Sequence, residues 1–164
     1  MAVIRLLWSI GFYENNEYVS REDKVIKEAV PAKIDGFNML DENGADHAPD
    51  YFASDKESDT YILYVHDLNE ANEKGMAKAM KLANVCMDEG IDFVAITNSS
   101  EEEIAAFVKK YGIEFPVYNN PIDPVHGPFM VRDAMRSNPG IMLINKGIVV
   151  DKWAWRDFPE RIDN

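Results

Sequence analysis

A run of six β-forming residues from Thr60 to Val65 (TYILYV) constrains the fold of this chain more than any other feature. The run contains hardly any polar group and is followed directly by His66 and Asp67. A strand exposed on one face alternates apolar and polar residues, so an uninterrupted run of this length indicates a central strand covered on both faces. Residues 91–97 (IDFVAIT) have the same character and predict a second buried strand.

Helical periodicity follows each of these strands. The first helix is expected from Asn69 to Glu89, where apolar residues recur at helical spacing: Met76, Met80, Ala83 and Met87. A second helix is expected from Glu101 to Tyr111, capped by Ser99 or Ser100 and with three glutamates in its first turn. The order strand, helix, strand, helix predicts a parallel pair of strands joined by a right-handed crossover.

Shorter elements are expected on either side of this unit. Before it, residues 36–40 predict a strand that enters a tight turn at Asn43-Gly44. After it, residues 115–127 contain three prolines and predict a loop, and residues 131–137 predict a short helical turn. The chain then forms a hairpin, with strands at 141–144 and 148–153 around an Asn-Lys-Gly turn. Parallel strands followed by a terminal hairpin predict a mixed sheet.

Composition indicates the domain organisation and argues against two classes of partner. With 164 residues, 46% of them hydrophobic, the chain can bury one core. We expect an N-terminal extension over residues 1–33 and one folded domain over residues 34–164. The net charge of −12 argues against nucleic acid and anionic membrane surfaces, because both require a basic face. The longest apolar stretch, residues 2–13, is shorter than the ~20 residues that span a bilayer.

Cysteine and histidine content limits the covalent and metal chemistry. Cys86 is the only cysteine, so the chain cannot form an intramolecular disulfide or a zinc site with several thiolates. The three histidines, at positions 47, 66 and 126, stand at unrelated spacings. We therefore expect neither a metal site nor a bound cofactor.

The order of elements resembles that of thioredoxin-like domains of the TlpA and peroxiredoxin type. The resemblance depends on the run Arg136-Ser137-Asn138-Pro139-Gly140 before a strand and on Lys152-Trp153 at the end of the last strand. It covers about residues 34–158 and implies a three-layer α/β sandwich with a mixed central sheet, here with an N-terminal hairpin extension. It also implies that the peptide bond before Pro139 is cis and that this proline faces the redox-active site.

The same residues are similar to the C-terminal thioredoxin-like domains of DoxX-type membrane proteins of Bacteroidetes. This narrower resemblance implies a soluble domain that is attached to a membrane protein at the cell envelope.

The chain departs from the thioredoxin pattern at the residues that carry the chemistry. In that family a Cys-x-x-Cys motif follows the first parallel strand, where the helix N-terminus lowers the thiol pKa. The corresponding residues here are Asn69-Glu70-Ala71-Asn72, with asparagine at both cysteine positions. Because an asparagine amide cannot form a mixed disulfide, dithiol exchange by this chain alone is excluded. Cys86 lies near the C-terminal end of the predicted helix, which favours a buried and inert thiol over a reactive one.

A candidate binding groove remains at this end of the sheet. His66, Asp67, Asn69 and Asn72 lie between the first central strand and its helix, where α/β sheets bind ligands. They also fit a purely structural role, with Asp67 or Asn69 capping the helix. Asn138 and Pro139 could present an edge on which an extended peptide or another protein docks, or the proline could serve packing alone.

Three functional hypotheses follow from these residues. The first is a redox-inactive thioredoxin-like domain that serves as a binding or scaffolding module. The second is a thiol-disulfide oxidoreductase or peroxiredoxin-related enzyme that uses Cys86 or a cysteine of a partner. The third is catalysis by His66 and Asp67, for which no neighbouring nucleophile indicates a reaction. Trp153 and Trp155 stand two apart and either cover the core or anchor a partner.

Overall fold

The computed structural model of the protein describes residues 37–121 and 129–162. The predicted extension over residues 1–33, its boundary with the folded domain and most of the proline-rich loop lie outside these ranges and stay predictions. Within them, no helix has the length and apolar character that a membrane span requires.

A five-stranded mixed sheet forms the centre of the domain. Its order is β3-β2-β1-β4-β5, with β1 parallel to β2, β2 parallel to β3, and the β4–β5 hairpin antiparallel to β1. The strands are β1 (Thr60–Tyr64), β2 (Asp92–Thr97), β3 (Val117–Asn119), β4 (Gly140–Asn145) and β5 (Ile148–Ala154). All five residues of β1 are buried, which confirms the predicted central strand.

Helices cover both faces of this sheet. They are α1 (Ala48–Phe52), α2 (Glu73–Glu89), α3 (Glu101–Tyr111) and α4 (Phe129–Ala134), and a 3₁₀ turn at Trp155–Asp157 follows β5. Helix α3 has the predicted bounds because Ser100 and Glu103 form a capping box: each side chain accepts a hydrogen bond from the backbone N–H of the other.

The side chains of β1 divide between two cores. Tyr61 and Leu63, with Val65 directly after the strand, face a core that includes residues of α2 and α3, whereas Ile62 and Tyr64 face a core that includes residues of α1 and α4. This division follows from the two-residue period of a strand. The result is the three-layer α/β sandwich with a mixed sheet that the resemblance implies.

The structure corrects four of the predicted elements. Helix α2 begins at Glu73 instead of Asn69, because the Asn72 side chain caps it by accepting a hydrogen bond from the Gly75 N–H. The segment predicted as loop contains the edge strand β3, which the prolines around it obscured. The strand predicted at 36–40 is reduced, within its described part, to bridges from Leu40 to Asp46 and to Asn119. The last helix is also displaced toward the N-terminus, to Phe129–Ala134.

Strand β5 forms one edge of the sheet and exposes three successive β-branched residues. Ile148, Val149 and Val150 are 68%, 46% and 58% exposed. Leu143 pairs with Asp151 and Ile144 pairs with Val149, so Val150 is an extra residue in a β-bulge.

The turn after Leu40 is held by a histidine between two carboxylates. The His47 ring lies with Nε2 3.2 Å from Asp41 Oδ2 and Nδ1 2.9 Å from Asp50 Oδ2. It also packs against the Tyr118 ring of β3, with the centroids 5.1 Å apart. The hydrogen bonds to Asp50 and Asp41 raise the pKa of His47 above its ordinary value.

We expect the free energy of unfolding to fall as the pH rises through the raised pKa of His47. The folded state binds the imidazolium proton more tightly than the unfolded chain, so this stabilisation is complete below the ordinary pKa of 6.5 and is lost above the raised one. Urea unfolding between about pH 5 and pH 9 measures the effect. His47→Gln should remove it and His66→Gln should retain it; equal pH dependence in both variants would contradict the assignment.

Candidate functional site

The first turn of α2 meets the Asn138–Pro139 segment at the end of β1. The Asn138–Pro139 peptide bond is cis, as the resemblance implies. The Asn72 N–H donates to the Asn138 carbonyl oxygen at 3.0 Å, and the Asn138 side-chain amide donates to the Asp67 carbonyl oxygen at 2.7 Å. These two bonds bring three of the predicted groove residues, Asp67, Asn72 and Asn138, into one connected group.

Gly75 is packed so closely that no side chain fits there. A Cβ at this position would lie 2.7 Å from the Trp155 Cβ and 3.0 Å from Cγ and Cδ of Pro139. Contacts under 3.0 Å require the neighbouring atoms to move, and both neighbours here are buried or half-buried. The proline ring and the base of the tryptophan side chain therefore fill the space beside the first turn of the helix.

A hydroxyl group fixes the proline relative to this tryptophan. Ser137 Oγ donates to the Pro139 carbonyl oxygen at 2.6 Å and accepts from the backbone N–H of Trp155 at 3.1 Å. The Arg156 guanidinium lies 4.5 Å from the Trp155 ring centroid, and the Arg156 carbonyl oxygen accepts from Lys78 Nζ of α2. Trp155 and Trp153 are both half-buried and pack against the core on the α2 side, with Trp153 stacked on Tyr61.

The other predicted groove residues have different positions. Asp67 caps the loop before α2, since its Oδ1 accepts from the backbone N–H groups of Asn69 and Glu70. Asn69 lies outside the helix, and its side chain donates to Glu103 Oε1 of α3 at 3.0 Å. His66 is half-buried at the end of β1. Its imidazole and the Asp67 carboxylate form no hydrogen bond with each other among the contacts of the described residues.

The turn that packs against Pro139 lies three residues further along the chain than the predicted motif at residues 69–72. The turn that faces Pro139 is Asn72-Glu73-Lys74-Gly75, so its first and last positions are asparagine and glycine. The distance from the strand predicts asparagine at both cysteine positions, Asn69 and Asn72, and this assignment stays a prediction. The sequence does carry one signal for this contact, which is Gly75 as the third residue of the helix. Glycine lowers helix stability, so its presence there indicates a place where another part of the chain packs closely.

Cys86 is remote from this turn and enclosed by the core. Its exposed fraction is 0%, and it lies in the C-terminal half of α2 among the residues that α2 packs against the sheet. Burial raises the pKa of the Cys86 thiol to about 12. The predicted burial of Cys86 is confirmed, and its lack of reactivity stays a prediction.

One polar atom of the connected group has no partner. Asn138 Oδ1 is buried and accepts no hydrogen bond from the described residues. Over the same residues, no three side chains of His, Cys, Asp or Glu are grouped so that they could hold a metal ion.

Comparison with known proteins identifies the fold. No family model and no curated protein matches the sequence. Several solved structures are similar. One is a secreted Mycobacterium tuberculosis disulfide oxidoreductase homologous to E. coli DsbE, with a TM-score of 0.51 and 13% identity over 79% of this chain and 88% of that chain. Another is a candidate protein disulfide isomerase from Bacteroides thetaiotaomicron, with a TM-score of 0.54 and 15% identity over 76% of this chain and 77% of that chain. A thiol-disulfide oxidoreductase from Bacteroides fragilis is also similar, with a TM-score of 0.52 and 11% identity over 71% of this chain and 85% of that chain.

At these identities the likeness shows the fold alone: the domain has a thioredoxin-like fold. The implied relation to DoxX-associated domains stays a prediction.

We expect Gly75→Ala to lower the free energy of unfolding by about 1–3 kcal/mol, because the added methyl group overpacks the contact with Trp155 and Pro139. The usual effect of this change inside a helix is the opposite, a gain of about 1 kcal/mol. Urea unfolding measures it, with the exposed neighbour Lys74→Ala as a control that should change little. A stabilised Gly75→Ala protein would show that the site has room for a side chain.

Proposed function

We propose that this chain is a redox-inactive thioredoxin-like module that binds a protein segment at the Asn138–Pro139 end of the sheet. One observation carries the proposal: the helix turn that faces Pro139 begins with Asn72 and ends with Gly75. Pro139 and Trp155 occupy the space that a side chain at position 75 would need.

The chemistry of exchange supports this proposal. Disulfide exchange begins with attack by an accessible thiolate, and release of the mixed disulfide requires a second thiol. Asn72 occupies the place where a helix N-terminus would activate a thiol, and its amide oxygen caps the helix instead. Cys86 is buried, and its raised pKa keeps it protonated at neutral pH.

Binding at this end is supported by the groups on its rim. His66, Asp67 and Asn138 are each partly exposed, and Trp155 with Arg156 stacked on it resembles the aromatic and arginine anchors of protein interfaces. An extended segment can pair with backbone groups beside the proline. The Asn138 carbonyl oxygen already accepts from Asn72, so a bound segment would use the neighbouring groups or that oxygen's second lone pair.

The alternative function is thiol-disulfide or peroxide chemistry with Cys86 or with a partner's cysteine. The names of the similar structures, which are disulfide oxidoreductases, favour this alternative. The form that uses Cys86 requires local opening of α2, since the thiol is inaccessible in the folded domain. The buried position of Cys86 is our reason for preferring the binding module.

The cellular setting that we propose is the cell envelope, as the soluble part of a DoxX-associated membrane protein. This setting depends on the resemblance of residues 136–140 and 152–153 alone. Four hydrophobic spans encoded immediately upstream in the same gene would support it, and a stand-alone gene would contradict it.

We expect no acceleration of insulin reduction by the wild-type protein above dithiothreitol alone. We also expect a chromogenic disulfide reagent to label native Cys86 only as fast as the domain opens, because burial excludes the reagent. Asn72→Cys is the matched control: a thiol at the helix N-terminus should be labelled rapidly.

Insulin turnover that disappears in Cys86→Ala would establish the alternative function. Labelling of native wild-type protein as rapid as that of the Asn72→Cys thiol would contradict the inert role of Cys86.

A further inference from the structure

A groove of about 830 Å³ lies at the β3 edge of the sheet, away from the Asn138–Pro139 end. We call it the β3 groove. Its apolar lining comes from α3, from β3 and the residues before it, and from Leu40: Leu40, Ile104, Val108, Phe115 and Val117. All five side chains are half-buried, so they retain apolar surface that another group could cover.

The backbone of β3 is only partly paired on its outer side. Residues 116 and 120 bond to β2, through the Pro116 carbonyl oxygen and the Asn120 N–H. Because the direction of backbone hydrogen bonding alternates along a strand, the N–H and C=O groups of Val117 and Asn119 point away from β2. Asn119 exchanges two 2.8 Å backbone hydrogen bonds with Leu40, and the chain then turns away at Asp41. Among the described residues, Val117 has no strand partner on this side.

The polar lining of the β3 groove is acidic. Asp41 and Glu42 from the turn and Glu101 from the start of α3 line it, and none of its described lining residues is Lys or Arg. Among the described lining residues, His47 is the single candidate for a positive charge, and it is already bonded to Asp41 and Asp50. Glu42 and Glu101 are exposed, and no salt bridge to either is found among the described residues.

From this combination we propose that the β3 groove binds an extended, basic peptide segment of a partner protein. The segment adds to the sheet through the outward backbone groups of Val117. An apolar side chain of the segment covers Ile104, Val108 and Phe115. Lysine or arginine side chains next to it pair with Glu42 and Glu101. This binding surface is separate from the Asn138–Pro139 end and does not depend on the proposed redox inactivity.

The experiment titrates the ¹⁵N-labelled protein with two acetylated hexapeptides, one alternating lysine and valine and one alternating glutamate and valine. Amide shifts locate the bound peptide, and fluorescence anisotropy of dye-labelled peptides gives the affinity. We expect the lysine peptide to shift the amides of residues 115, 117–119 and 101–108, and the glutamate peptide to leave them unchanged.

Charge-reversal variants distinguish binding in the β3 groove from general attraction of the lysine peptide to the net charge of −12. Glu42→Lys and Glu101→Lys should each lower the affinity for the lysine peptide about fivefold. Glu89→Lys changes the net charge equally at an exposed residue outside the groove and should leave the affinity close to that of the wild type.

Three affinity results would overturn the proposal: equal weakening by all three reversals, absence of binding, or equal binding of the glutamate peptide. Shifts confined to residues 66–75 and 137–140 would also overturn it, and would instead support binding at the Asn138–Pro139 end.

Discussion

The contact of Gly75 with Pro139 and Trp155 is the constraint on which the rest of the site depends. It joins the start of α2, the start of β4 and the end of β5, three parts of the chain that are far apart in sequence. Because the Pro139 ring and the Trp155 Cβ pack directly against the Gly75 backbone, the helix end is held closely and a side chain at position 75 would collide with both. The structural role of this contact and the proposed loss of thiol chemistry have the same cause.

The central elements were predictable because each has a strong local signal. The uninterrupted run of β1 identified a strand buried on both faces, and the Ser100–Glu103 capping box fixed the start of α3. The positive φ angles at Lys146 and Gly147 form the turn expected between β4 and β5. The cis peptide bond before Pro139 came from the resemblance and not from these local patterns.

The site was less predictable because its geometry depends on contacts between distant residues. The helix is expected from Asn69, but an Asx turn at Asp67 precedes it and α2 begins at Glu73, after its cap Asn72. Strand β3 is three residues long between prolines, and its pairing with β2 overrides a local preference for loop. The β3 groove joins residues from three separate segments, so no spacing in the sequence indicates it.

The bulge in β5 has a consequence for how this domain meets copies of itself. Strands from separate molecules stack into fibres when their donors and acceptors repeat with regular spacing along an open edge. Val150 interrupts that spacing, and the charged residues Asp151 and Lys152 follow it directly. Three water-exposed aliphatic side chains are therefore carried on a strand whose irregular backbone is a poor template for fibril growth.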